Sequence, residues 1–227
     1  MNYAIEYLFS AIVVLISLSA HELAHGYTAY KLGDPTAKYM GRLTLNPIKH
    51  IDPYGLICMV LFRIGWAKPV PINPRYFKKP KRDTAICAIA GPLTNLVLAF
   101  IATFSYVLLV KIFTGVAFAN DFLFNVVDNT CLFIYLFAII NVSLAVFNLL
   151  PLYPLDGFRV IDAFSKKRSN VYRILRYYGT YILLGLFALS ILADFSGFYQ
   201  IDILGNVLSI AVKYLKMPIT AFWGLFF

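Results

Sequence analysis

Long apolar runs alternate with short polar segments along the chain. A transmembrane helix needs about 20 mostly apolar residues, and four runs satisfy this, at residues 3–31, 84–113, 130–153 and 172–193. A fifth run, at residues 201–227, is interrupted by Lys213, Lys216 and Pro218, so it either spans the membrane or lies in the interface. The pattern predicts an α-helical polytopic membrane protein with about four to six transmembrane helices.

The segment between the first two runs has a different pattern. Within residues 36–64, short alternating pieces at 37–40 and 42–45 are separated by prolines and other turn residues. This pattern favours extended strands over helix. Residues 55–64 are apolar but too short to span, which favours a re-entrant or hairpin element. We therefore expect a small β or extended insertion after helix 1, which could pair with an extended peptide.

Composition strengthens the membrane prediction. Hydrophobic residues make up 60% of the chain and charged residues 14%, against about 25% charged residues in soluble domains. The first run has small residues at 17–20 but no basic segment before it, so we expect a retained helix and not a cleaved signal peptide. The chain has no linker rich in glycine and serine and no long repeat, which predicts one domain over residues 1–227.

The net charge of +9 is unevenly distributed. Residues 114–129 and 195–206 contain no lysine or arginine. The positive-inside rule places basic loops in the cytosol, which predicts a multi-pass protein of the cell membrane with its N-terminus outside. We therefore attribute the charge to membrane orientation and lipid headgroup contact, and expect no nucleic-acid partner. The basic residues cluster in two loops. The first contains Lys68, Arg75, Lys78, Lys79, Lys81 and Arg82, and the second contains Lys166, Lys167, Arg168, Arg173 and Arg176.

The first apolar run contains a His-Glu-x-x-His motif formed by His21, Glu22 and His25. Histidines four residues apart lie on one face of a helix, so both can bind one metal ion. Glu22 is rotated by about 100° and can reach a water on that metal. This arrangement is typical of zinc hydrolases, in which the glutamate activates the zinc-bound water. The alternative is a helix end whose polar side chains face lipid headgroups.

Catalytic zinc usually has three protein ligands and one open position, so a third ligand is expected. Asp156 is the preferred candidate, because the predicted topology places it at the cytosolic end of helix 3, at the depth of His25. Two prolines precede it, and Gly157 permits a sharp turn that can direct the carboxylate inward. Asp156 could instead be an ordinary N-cap. His50 and Asp162 are the competing ligands.

Three motifs together resemble those of a known family. The chain combines His-Glu-Leu-Ala-His in an apolar helix with Asn-x-x-Pro-x-x-Pro-Leu-Asp-Gly at residues 148–157. Residues 90–95 add a Gly-Pro-x-x-Asn element in helix 2. This combination resembles the site-2 protease family of intramembrane zinc metalloproteases, in a minimal form without a PDZ or CBS domain.

The resemblance implies a function for each residue of the motifs. It implies that His21, His25 and Asp156 bind one zinc ion and that Glu22 is the catalytic acid and base. It also implies substrates that are membrane proteins, cleaved within or beside a transmembrane helix. The topology predicted from the basic loops places this site near the cytosolic side. Oligomeric state is left open.

Two of these assignments have alternatives, namely the role of Asn95 and the enzymatic function of the protein. An amide in an apolar helix needs a partner; Asn95 could bind the substrate carbonyl or oxyanion as a catalytic residue, or form an interhelical hydrogen bond. A metal transporter could use the same three ligands, but the chain has no internal repeat of the kind transporters show. A member that binds partners without cleaving them would not need Glu22.

Overall fold

Helices form nearly all of the regular structure in the computed structural model, which describes residues 3–62, 65–118, 120–165 and 169–226. Lys166, Lys167 and Arg168 of the second basic loop lie outside these residues, as do the predicted segment ends at Ile64 and Phe227. The helices are α1 (Tyr3–Lys31), α2 (Thr36–Tyr39), α3 (Pro53–Phe62), α4 (Pro80–Phe113), α5 (Asp121–Leu149), α6 (Asp156–Phe164), α7 (Asn170–Tyr177), α8 (Gly179–Ser196) and α9 (Ile203–Gly224).

Four helices are long and apolar enough to cross a membrane: α1, α4, α5 and α8. This confirms the predicted class, a polytopic helical membrane protein. Helix α5 begins at Asp121 and not at residue 130, because the Asn120 side chain accepts a hydrogen bond from the Leu123 amide (2.9 Å) and caps the helix. It ends at Leu149, two residues before Pro151, which cannot continue an α-helix.

The fourth apolar run is divided into two helices. Helix α7 ends at Tyr177, and α8 begins at Gly179. A Cβ atom at Gly179 would lie 2.6 Å from the backbone nitrogen of Tyr153, so only glycine allows this close approach. The Tyr153 amide also donates a hydrogen bond to the Leu175 carbonyl (3.2 Å). The predicted single helix at 172–193 is therefore interrupted where it packs on the segment that precedes α6.

The predicted β or extended insertion is not found. The described residues between α1 and α4 contain no strand, only an isolated antiparallel bridge between Ile51 and Ala67. Residues 36–39 are helical, and the Asp34 side chain forms the turn that leads into them by accepting hydrogen bonds from the amide and hydroxyl of Thr36. The Asp52 side chain caps α3 by accepting from the Tyr54 and Gly55 amides (3.0 Å each), and proline occupies the first position of that helix. The prolines that suggested strands thus begin helical turns.

One face of α1 is buried from Val13 to Ala29. It consists of residues spaced four apart, Val13, Ser17, His21, His25 and Ala29. Helix α4 contributes Gly91 and Asn95 to the same interior and packs against α1, α5 and α6. The interior between these helices is therefore unusually polar, and it contains both histidines of the motif.

Candidate metal centre

The structure brings three of the predicted site residues together. His21, His25 and Asp156 are 3%, 3% and 5% exposed, and each directs one ligand atom to a common point. The two histidine Nε2 atoms are 3.0 Å apart, and each lies 3.1 Å from Oδ2 of Asp156. Residues 135 positions apart in the chain thus form one compact triangle of ligand atoms.

The hydrogen-bond partner of His25 fixes its tautomer. Its Nδ1 lies 2.6 Å from the backbone carbonyl of Cys87 in α4. A carbonyl oxygen only accepts hydrogen bonds, so Nδ1 carries the hydrogen. In the neutral ring this leaves a lone pair on Nε2, the atom that faces His21 and Asp156.

The tautomer of His21 is fixed through two asparagines. The Asn141 amide nitrogen donates to the Phe137 carbonyl (2.8 Å) and to Ser17 Oγ (2.8 Å), so its oxygen is free to accept. Asn95 Nδ2 donates to that oxygen (2.8 Å), which directs Asn95 Oδ1 toward His21 Nδ1, 2.6 Å away. His21 Nδ1 therefore carries the hydrogen, and its Nε2 lone pair also faces the common point.

This donor set fits a zinc ion. Two imidazole lone pairs and a carboxylate oxygen facing one point repel one another unless a cation lies between them. The separations of 3.0–3.1 Å are close to the roughly 3.3 Å expected between ligands of tetrahedral zinc with bonds of about 2.0–2.1 Å. Gly91 borders the same space, because a Cβ atom there would lie 2.5 Å from Nε2 of both histidines.

Asp156 is held at the start of α6, where α6 packs on the end of α5. A Cβ atom at Gly157 would collide with the carbonyl oxygens of Leu149 and Leu150, so this approach requires glycine. Asp156 Oδ1 lies 3.6 Å from the Arg159 guanidinium. The positive charge of Arg159 favours the ionised form of the Asp156 carboxylate, which is the form that a metal ligand needs.

Glu22 lies beside this cluster, and a residue outside α1 holds its carboxylate in place. Its Oε2 accepts a hydrogen bond of 2.7 Å from the backbone amide of Val70. Val70 belongs to a proline-rich segment, residues 67–73, which we term the proline strap. A Cβ atom at Gly26, one turn after Glu22, would lie 2.9 Å from Val70 Cγ1, so glycine allows the strap to approach α1. Arg42 supports the strap by donating to the Lys68 and Pro69 carbonyls (2.6 and 3.2 Å).

Comparison with known proteins decides the family. The family model described as peptidase family M50 matches residues 9–192, most of the chain. The chain belongs to peptidase family M50. This confirms the site-2 protease family that the motifs indicated and, with it, the predicted enzyme class, a zinc metalloprotease. Zinc as the cofactor follows from the family together with the triangle of ligands.

Several curated proteins from bacteria and an archaeon align with the chain. YwhC of Bacillus subtilis (strain 168), provisionally named a zinc metalloprotease, is 46% identical over 154 residues, 68% of each chain. Rip2 of Mycolicibacterium smegmatis is 31% identical over 159 residues, and MJ0392 of Methanocaldococcus jannaschii, named a zinc metalloprotease, is 26% identical over 168 residues. The alignments cover 65% and 74% of this chain but only 54% and 38% of those two relatives. No solved structure matches the chain significantly.

The remaining candidates lie elsewhere in this M50 chain. His50 Nε2 donates to the Thr44 carbonyl (2.8 Å), and Asp162 accepts from Tyr172 and from Arg176. Neither competing ligand joins the group of His21, His25 and Asp156 within the described part of the chain. Asn95 is fully buried behind His21, and its NH₂ group is directed to Asn141 and not to the open side of the cluster.

Proposed function

We propose that this M50 protein is an intramembrane endopeptidase that hydrolyses peptide bonds in, or next to, transmembrane segments of membrane proteins. The observation that carries the proposal is the triangle of buried ligand atoms at 3.0–3.1 Å, set between apolar helices long enough to cross a membrane. Ionisable groups at membrane depth are costly and usually serve function. The catalytic glutamate expected of a zinc protease lies directly beside them.

The residues have separate roles in this mechanism. His21, His25 and Asp156 hold the zinc ion, which when bound lowers the pKa of a coordinated water to about 7 and polarises a carbonyl. Glu22 accepts a proton from the attacking water and passes it to the leaving amine. The Val70 amide orients the Glu22 carboxylate for both transfers, because it fixes one of the two carboxylate oxygens.

The active site is proposed to lie near the cytosolic side of the cell membrane. The motif occupies residues 21–25 of α1, which ends at Lys31 and leads into the first basic loop. Basic loops remain in the cytosol, so water reaches the site from that side. A substrate helix must unwind locally to present its scissile carbonyl, since a helical carbonyl is already hydrogen-bonded.

The direct test uses the purified protein in lipid vesicles with a tagged single-span membrane protein as substrate. The expected result is two fragments whose masses place the cut within or next to the transmembrane helix. Zinc flux across the same vesicles is measured in parallel, because a transporter would move zinc and leave the substrate intact. Zinc uptake without fragments would overturn the proposal.

Asn95 is proposed to position His21 and not to touch the substrate. Its carbonyl oxygen accepts the Nδ1 hydrogen of His21 (2.6 Å), and residues that orient metal ligands typically contribute about 10- to 100-fold to metal affinity. Asn95→Ala should therefore weaken zinc binding about 10- to 100-fold, measured by competition with a coloured chelator. Asn95→Asp retains an acceptor for His21 and should recover part of the loss.

The control for Asn95 is Asn129→Ala, because Asn129 donates only to the carbonyl of Asn125 on its own helix (2.8 Å). Zinc affinity should be unchanged in that variant. If Asn95 stabilised the oxyanion, Asn95→Ala would lower kcat and leave zinc affinity at the native value. That pattern would contradict the positioning role.

The proline strap gives a second prediction about positioning. Val70→Pro removes the amide hydrogen that Glu22 accepts, while Val70→Ala keeps it. Hydrogen bonds to charged groups are worth about 1.5–3 kcal/mol, so we expect Val70→Pro to lower kcat by about 10- to 100-fold. Zinc content should stay native in both variants, and Val70→Ala should retain most activity. Equal losses of kcat in the two variants would show that packing, and not the hydrogen bond, matters.

A further inference from the structure

A small pocket lies between α1, α3 and the start of the proline strap. Leu15 and Leu18 of α1 and Leu56 of α3 form apolar walls, and Ala67 of the strap also lines it. We term it the His50 pocket, because the His50 side chain borders the same space. The space inside is about 20 Å³, little more than the roughly 10–15 Å³ that one water molecule needs. The pocket therefore suits a short group and excludes a ring.

His50 has a buried acceptor that no described residue uses. The residue is 2% exposed, and its Nε2 lies 2.8 Å from the Thr44 carbonyl, which only accepts hydrogen bonds, so Nε2 carries the hydrogen. In the neutral ring the lone pair is then on Nδ1, which is buried and has no hydrogen-bond partner within the described part of the chain. A buried acceptor without a partner is costly, and most such atoms are satisfied. This atom therefore indicates a donor supplied by another molecule.

Two further polar residues that line the pocket supply acceptors. The Ser19 hydroxyl donates its hydrogen to the Leu15 carbonyl (2.7 Å), so only its oxygen lone pairs remain. The ionised Asp52 side chain is an acceptor only, and its Oδ1 already caps α3. Trp66 also lines the pocket and has an indole N–H donor, but its side chain is about half exposed. The buried polar atoms of the pocket thus favour a ligand that donates a hydrogen bond.

The His50 pocket lies next to the catalytic glutamate on two elements. Leu15, Leu18, Ser19 and Glu22 are spaced three or four apart, so they form one stripe along α1. Glu22 follows Ser19 by about 4.5 Å along the helix axis, at 1.5 Å per residue. On the strap, Ala67 is three residues before Val70, whose amide holds Glu22. An extended peptide advances by about 3.3 Å per residue, so residues within about three positions of the scissile bond can reach the pocket.

We propose that the His50 pocket binds a serine or threonine side chain of the substrate, within about three residues of the scissile bond. The substrate hydroxyl donates a hydrogen bond to Nδ1 of His50, and its carbon atoms contact Leu15 and Leu18. A longer donor such as lysine or glutamine exceeds the space of about 20 Å³. The inference rests on the proposed function, because it assigns the sequence preference of that same site.

The test compares threonine with valine in the substrate, because the two side chains have the same shape and similar helix propensity and differ in one hydroxyl. In a tagged single-span substrate with a mapped cut, each residue is placed in turn at the three positions on either side of the cut. We expect kcat/KM of the native chain to be about tenfold higher for threonine at one of these positions. In His50→Phe, which keeps a ring but lacks Nδ1, the ratio should fall to about one. Lys49→Gln, an exposed change in the same turn, should keep the native ratio.

Equal kcat/KM for threonine and valine at all six positions would overturn the inference and leave the proposed function standing, with the pocket holding water only. A threonine preference that persists in His50→Phe would also overturn it. Fragments from no substrate at all would overturn the proposed function and the inference together. Zinc content is measured for each variant to report an intact fold. The comparison within the native chain decides the inference even if His50→Phe does not fold.

Discussion

Glu22→Gln is expected to lower the rate of substrate cleavage by about 10²- to 10⁴-fold, the usual contribution of a general base or acid. The substitution keeps the size of the side chain and its ability to accept the 2.7 Å hydrogen bond from the Val70 amide. What it removes is the basic oxygen that takes a proton from water. Because Glu22 is not in the group of three ligands, zinc content should remain at one ion per chain.

The informative comparison is Asp156→Asn measured beside Glu22→Gln. Asp156 supplies the oxygen that lies 3.1 Å from both imidazoles, so its amide variant should lose zinc and cleavage together. Zinc is measured by mass spectrometry of the metal, and cleavage by the fragments of the tagged substrate. Native cleavage by Glu22→Gln would refute its role as acid and base. Loss of zinc from Glu22→Gln would show instead that Glu22 is a ligand.

The grouping of the three candidate ligands could be predicted from the sequence because their geometry is local or tied to a motif. His21 and His25 are one helical turn apart, so any helix at these residues brings them together. Asp156 is indicated by the two prolines before it, by Gly157 after it and by its predicted depth, and the structure places it at the start of α6 against the end of α5.

The groups that orient the ligands could not be predicted, because they come from distant parts of the chain with no pattern of their own. The Cys87 carbonyl that fixes His25 is 62 residues away, and a backbone carbonyl has no sequence signal. The Val70 amide is 48 residues from Glu22. The sequence does contain a weak signal for Val70. It lies between Pro69 and Pro71, and unlike these prolines it has a backbone amide hydrogen that can donate a hydrogen bond.

The segment after α1 shows why hydrophobic alternation alone misleads. Residues 37–40 alternate as a strand would, yet they overlap α2, which follows a turn formed by the Asp34 side chain and the Thr36 amide (3.0 Å). The same signal begins the turn at Pro47, where Asn46 accepts from the Ile48 amide (3.1 Å). An aspartate or asparagine next to a proline therefore indicates a helical turn more strongly than four residues of alternating polar and apolar side chains indicate a strand.

The second large effect is expected at Gly91, where any side chain would enter the metal centre. A Cβ atom there would lie 2.5 Å from Nε2 of both His21 and His25, well inside van der Waals contact. Neither ring can move away freely, because His21 is held by Asn95 (2.6 Å) and His25 by the Cys87 carbonyl (2.6 Å). The added methyl must therefore displace a ligand or separate α4 from α1.

Gly91→Ala should consequently weaken zinc binding by at least about 100-fold, the upper size of effects from residues that only orient ligands. The matched control is Gly185→Ala in α8, where an added Cβ meets no atom within 4 Å. Alanine in a helix interior is favoured over glycine by about 1 kcal/mol, so this control should keep its zinc and unfold at the same or a higher temperature. Zinc affinity is measured by chelator competition and helicity by circular dichroism, so that loss of metal is separated from loss of fold. Native zinc affinity in Gly91→Ala would mean that the ion lies on the other side of the histidines, and that the space beside Gly91 is not part of the metal centre.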